Sequence, residues 1–109
     1  MLLDFEKLEE INISKMNNGI GDIRAQMYMY EQGKIILSSI HSGSSIGLHK
    51  HATSDDINYF LSGKGKAICD GKEEILYSGV CHICEKGSEH SIINTGFDDL
   101  ILLTVVIER

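Results

Sequence analysis

Gly43-Ser44-Ser45-Ile46-Gly47-Leu48-His49-Lys50-His51, continuing through Asp56 to Gly63, decides how this chain is read, together with a later stretch, Gly79–Asn94, that carries His90. In an extended strand successive side chains point to opposite faces, so His49 and His51 face the same way, about 7 Å apart at their Cα atoms. Both can reach one cation. Asp56 follows the polar break Ala52-Thr53-Ser54-Asp55 and stands before Ile57-Asn58-Tyr59-Phe60-Leu61, a run with the β-branched and aromatic content of a strand. It can enter the same cavity from a neighbouring strand. Neutral imidazoles with one carboxylate suit divalent iron, manganese, nickel, cobalt or zinc, and spacing alone does not choose among them.

These residues resemble the two motifs of the cupins. The first reads G-x5-H-x-H-x3,4-E-x6-G, matched here by Gly43, His49, His51, Asp56 and Gly63, with Asp in place of Glu. The second reads G-x5-P-x-G-x2-H-x3-N, matched by Gly79, Gly87, His90 and Asn94, with Glu85 in place of Pro. The chain is therefore similar to a small, RmlC-like cupin of the cupin 2 type. The resemblance implies an all-β fold, a double-stranded β-helix closed into a jelly-roll barrel, as a single domain over residues 1–109 with its conserved part at about 40–107. It also implies a divalent transition metal held by His49, His51, His90 and Asp56. The Asp carboxylate is one methylene shorter than Glu. It could bind directly, bind through water, or leave a site closed by three histidines. Asp55 is the rival position, but the count back from Gly63 selects Asp56.

Strand parity sends Asn58 and Phe60 inward with Asp56, as residues that could orient a substrate and wall the pocket. His82 lies on a strand where either His82 with Cys84 or Cys81 with Ile83 faces the cavity; in the former case it could serve as a base beside the metal or substrate. Cupins include dioxygenases, isomerases, decarboxylases and lyases, so the resemblance implies a metal-dependent enzyme acting on a small oxygen-rich or anionic substrate. No catalytic residue is assigned. The alternative is a non-catalytic ligand-binding or sensor module whose metal only anchors a ligand or staples the fold. The resemblance further implies a homodimer, with Met27-Tyr28-Met29-Tyr30 as the candidate contact.

Bulk properties agree with a small-molecule role. A length of 109 residues allows one core, and a formal net charge of −6 argues against nucleic acid, whose recognition draws on clustered Lys and Arg. The N-terminus has no basic region followed by an apolar core, and the longest apolar run, Leu100 to Ile107, is too short to span a bilayer, so a cytoplasmic protein without a membrane partner is expected. The odd count of cysteines (Cys69, Cys81, Cys84) suits free thiols in a reducing compartment. Cys81 and Cys84 have C-x-x-C spacing, but on a strand residues three apart diverge, so neither a redox pair nor a zinc half-site is expected.

Along the chain, Leu2, Phe5, Leu8 and Ile11 recur at helical spacing, predicting a short helix that leads into a strand at Ile11-Asn12-Ile13. Strands are predicted at 23–30, 34–40, around His49 and His51, at 56–61, 64–69 and 72–77, within 79–87 and at 100–108. Asp70-Gly71 is a type I′ hairpin signal. The last strand is apolar almost throughout, which predicts cover on both faces.

Overall fold

The alternation of apolar and polar residues is realised as strands throughout the chain. The computed structural model describes residues 1–109 and contains ten. They are β1 (Ile11–Ser14), β2 (Asp22–Tyr30), β3 (Gly33–Ile40), β4 (Ser45–Lys50), β5 (Ser54–Ser62), β6 (Lys64–Cys69), β7 (Lys72–Tyr77), β8 (Cys81–Cys84), β9 (Glu89–Asn94) and β10 (Leu100–Glu108). The helix predicted near the N-terminus is only a 3-10 turn, Phe5–Lys7, in which the Asp4 side chain accepts a hydrogen bond from the Glu6 backbone N–H. A second such turn, Met16–Asn18, packs against β4. No helix is long and apolar enough to cross a membrane.

All strand pairings are antiparallel, in one sheet ordered β1-β2-β3-β10-β5-β8 and a second ordered β4-β9-β6-β7. This corrects the expectation of a closed jelly-roll barrel. Both sheets are open: β1 and β8 remain edges of the larger one, and β4 and β7 remain edges of the smaller. Closure is not needed to bury the apolar residues. Ile23, Ile40, Phe60, Leu100 and Leu102 from the larger sheet meet Ile46, Ala67, Leu76 and Ile92 from the smaller in one core, so each sheet solvates its other face.

For the same reason β10 is not covered on both faces. Leu100, Leu102 and Thr104 are buried, while the intervening Ile101, Leu103 and Val105 are only half-buried on the outer side. Asp70 and Gly71 both have positive φ, 49° and 79°, which is the backbone of the I′ turn that joins β6 to β7. Cys81 and Ile83 are exposed, and His82 and Cys84 are buried, so the parity that the sequence left open on β8 puts His82 inward. The three cysteines are free, and burial pushes the Cys84 thiol up to about 12.

Gly63, between β5 and β6, ends the first motif at the place where the chain crosses from one sheet to the other. Its φ is +93°, and a Cβ there would lie 2.5 Å from the Asp99 carbonyl oxygen and 2.8 Å from the Leu100 Cα. Gly79 has a similar φ of +96° and open space around it. Gly63→Ala and Gly79→Ala therefore share the backbone strain and differ in the clash. We expect urea unfolding to show Gly63→Ala less stable than Gly79→Ala by about 1–3 kcal/mol, the usual cost of forced overpacking. Equal losses would contradict this account of the crossing.

Candidate metal centre

The pairing of β4 with β9 sets His49 directly opposite His90 and Lys50 opposite Glu89. The register is irregular between Ile46 and His49, and there the His49 Nδ1–H donates to the Gly47 carbonyl at 2.7 Å. His51 lies one residue beyond the end of β4. It is held by its own backbone instead: its N–H donates to the Ser88 carbonyl at 3.0 Å, and its carbonyl accepts from the Gly87 N–H at 2.7 Å. The glycine of the second motif thus fixes a histidine of the first. Asp56 reaches the cluster from β5, in the opposite sheet.

The side chains converge closely. His49 Nε2 is 3.0 Å from His51 Nε2, which is 3.1 Å from His90 Nε2, and all three ring centroids are 4.7–4.9 Å apart. Asp56 Oδ2 lies 3.2 Å from His90 Nε2 and 3.5 Å from His51 Nε2. Imidazole nitrogens at right angles about 2.1 Å from one ion would be about 3.0 Å apart, so the spacing fits a shared divalent metal. The donor set fits as well. A carbonyl only accepts, so a neutral His49 has its proton on Nδ1 and a bare lone pair on Nε2. Nitrogen lone pairs and a carboxylate aimed at one point suit a cation between them. The cluster His49, His51 and His90 could hold a divalent transition metal.

Asp56 is positioned by its neighbours. Asn58 Nδ2 donates to Asp56 Oδ2 at 3.0 Å, and Asn58 Oδ1 accepts from Thr104 Oγ1 at 2.8 Å. Burial opposes ionisation of Asp56, but in the metal-free protein a hydrogen bond from a protonated His90, the Asn58 amide and the charge of a protonated His51 outweigh it and hold the carboxyl below its usual range. His49 and His51 are held below the usual imidazole value chiefly by burial. Asp55 points elsewhere: its carboxylate accepts from Arg109 Nε at 2.6 Å and from the Lys86 backbone N–H at 2.8 Å, tying down the C-terminus.

The cluster opens into a cavity of about 300 Å³ between the sheets. Ile36, Ile92 and Val106 give it apolar walls; Ser38, Asn58 and Thr104 add polar groups, and Lys34 and Glu108 are its charged residues outside the cluster. Of the residues expected to meet a substrate, Asn58 lines this cavity, with its amide already engaged by Asp56 and Thr104. Phe60 does not line it; fully buried, it belongs to the apolar core. His82 also lies outside the cavity wall, buried behind His90, with its Nε2 2.8 Å from His90 Nδ1 and its Nδ1 2.7 Å from Glu74 Oε1. Glu74 was not singled out in the sequence. The signal was its place two residues before Leu76 on β7, which puts a carboxylate on the same side of the strand as a buried leucine.

Comparison with known proteins agrees with this fold. The cupin-domain family model matches residues 36–106. The oxalate-binding protein of Thermotoga maritima is 31% identical over 113 residues, covering 98% of this chain and 93% of the relative. The crystal structure of a predicted oxalate decarboxylase from Thermotoga maritima superposes with a TM-score of 0.94 at 30% identity, covering 100% of both chains. An RmlC-like cupin from Shewanella frigidimarina shares the fold, with a TM-score of 0.81, 17% identity, and coverage of 98% of this chain and 89% of that one.

The lowered imidazole values set a pH dependence for the metal-free protein. His49 and His51 titrate near 6.5 when unfolded and lower when folded, so the unfolded chain takes up protons first as pH falls. Stability is full above 6.5 and declines as pH drops from there through the folded values. Asp56 adds a second decline below its usual 3.8, lost as pH falls through its depressed folded value. Urea midpoints of chelator-treated protein should fall between roughly pH 7 and pH 5, and a His49→Gln, His51→Gln variant should flatten that limb. A flat midpoint in the unaltered protein would contradict the burial of neutral imidazoles.

Proposed function

The chain belongs to the cupin superfamily, and from that membership we propose that it is a metal-dependent enzyme acting on a small chelating carboxylate, a dicarboxylate of the oxalate class. The observation that carries this reading is the convergence of three imidazole nitrogens on one point at the cavity between the sheets. In this reading His49, His51 and His90 hold the ion, and Asp56 is its oxygen ligand or orients a water beside it. A divalent ion would supply Lewis acidity to a chelated carboxylate, and redox capacity if it is iron or manganese.

The chain's own residues supply the rest. About 300 Å³ is at the small end of ligand cavities, which favours a compact substrate. Lys34 places a positive charge on the wall, suited to a second carboxylate. Ile36, Ile92 and Val106 limit water around it. Glu108 is the cavity's only carboxylate outside the cluster and is the residue available to carry a proton. Asn58 and Thr104 hold Asp56 in place and leave the substrate to Lys34 and Ser38.

A second reading is retention without turnover. It is favoured by the relative described as oxalate-binding, and by the commitment of the Asn58 amide to Asp56 and Thr104. Calorimetry with the metal-loaded protein and oxalate, paired with an assay for carbon dioxide, separates the two. Metal-dependent binding with carbon dioxide released supports the enzyme, and binding with oxalate recovered intact supports retention. Absence of metal-dependent binding of oxalate or malonate would sink both. Lys34→Met should weaken dicarboxylate binding about tenfold, the scale of one charge-assisted contact, with metal content unchanged.

We propose also that two copies pair through the Met27–Tyr30 half of β2. Strand β1 covers β2 only from Asp22 to Ala25, so the remaining half presents an open edge, with Met29 65% exposed and Tyr28 stacked on Tyr30. Light scattering should give a dimer mass for the unaltered protein and a monomer for Met29→Lys. A monomeric unaltered protein would contradict the pairing.

A further inference from the structure

Glu74, His82 and His90 form a chain that crosses the seam between the two sheets, from the edge strand β7 of the smaller to the edge strand β8 of the larger and back to β9. Proton positions along it follow from what each group can do. A carboxylate accepts, so His82 Nδ1–H donates to Glu74. A neutral imidazole carries one N–H, which leaves His82 Nε2 bare to accept from His90 Nδ1–H. His90 Nε2 is then bare in turn, and it is the nitrogen that faces His51 and Asp56.

We propose that Glu74 and His82 are positioning residues that fix the tautomer and ring orientation of His90 for the metal, an inference that rests on the metal reading above. His90 and His82 are both buried and their rings stack, with centroids 5.1 Å apart and planes 26° from parallel, so neither can turn to solvent for an alternative partner. His49 has no such dependence, because a carbonyl two residues away fixes its proton. The relay starts at a half-exposed side chain, Glu74, and ends at a fully buried ligand. Outer partners of this kind raise ligand basicity and hold the ring in place, and their loss typically weakens metal binding about 10–100-fold.

The test reverses the polarity of the first link. A lysine ammonium only donates, so Glu74→Lys would force His82 Nδ1 to accept, put the proton on His82 Nε2, and turn His90 Nε2–H toward the metal position. Glu73→Lys, on the same exposed hairpin, makes the same charge change without touching the relay. Zinc affinity, measured by chelator competition, should be about 10–100-fold weaker in Glu74→Lys than in Glu73→Lys. Nitrogen-15 NMR of the zinc-loaded unaltered protein should find His82 protonated on Nδ1 and bare on Nε2. Equal affinities in the two variants would overturn the relay, as would a proton on His82 Nε2. Failure of the unaltered protein to bind zinc or another divalent ion would instead bring down the metal reading, and the relay with it.

Discussion

Three imidazole nitrogens and a carboxylate oxygen brought to within about hydrogen-bonding distance of one another repel unless a shared proton or a metal ion lies among them. The fold enforces that meeting. Cross-strand pairing sets His49 against His90, two backbone hydrogen bonds pin His51 beyond its strand, and β5 brings Asp56 across from the opposite sheet. Each of these constraints comes from backbone pairing. The cluster is thus made by the same interactions that make the sheets, and relieving its repulsion by moving one side chain would mean breaking strand register. A divalent ion relieves it without movement.

The sheets in turn divide the labour. The smaller supplies His49 and His90, with His51 just past the end of its β4, and the larger supplies the carboxylate, together with the Asn58 and Thr104 contacts that hold it. Apolar contact among residues such as Phe60, Leu102 and Ile92 keeps the two layers at the separation the cluster needs. Buried polar groups cost stability unless they are paired, and here Asn58 and His82 are each engaged on both sides of the side chain. The open side of the site is the cavity, where Lys34 and Glu108 are the charges a ligand would meet.

Much of this was legible in the sequence because strand parity and turn chemistry are local. The two-residue spacing of His49 and His51, the count from Gly63 to Asp56, and the pairing signal of Asp70-Gly71 need only the neighbouring residues. Closure was not legible, since whether two sheet edges bond to each other depends on distant strands, and here they stay open. Parity gives a face without a depth. Asp56, Asn58 and Phe60 share one face of β5, yet Asp56 and Asn58 line the cavity while Phe60 lies in the apolar core. Similarly, nothing local could show that Glu74 on one hairpin meets His82 from another strand, because that contact exists only where the two sheets' edges approach.

X-ray absorption at the metal edge of protein loaded with one equivalent of zinc or manganese tests the central claim most directly. The account predicts a first shell containing three imidazole nitrogens at about 2.1 Å, recognisable by the outer scattering of the rings, with any remaining ligands being oxygen. A shell of oxygen alone, or one containing sulfur, would contradict it.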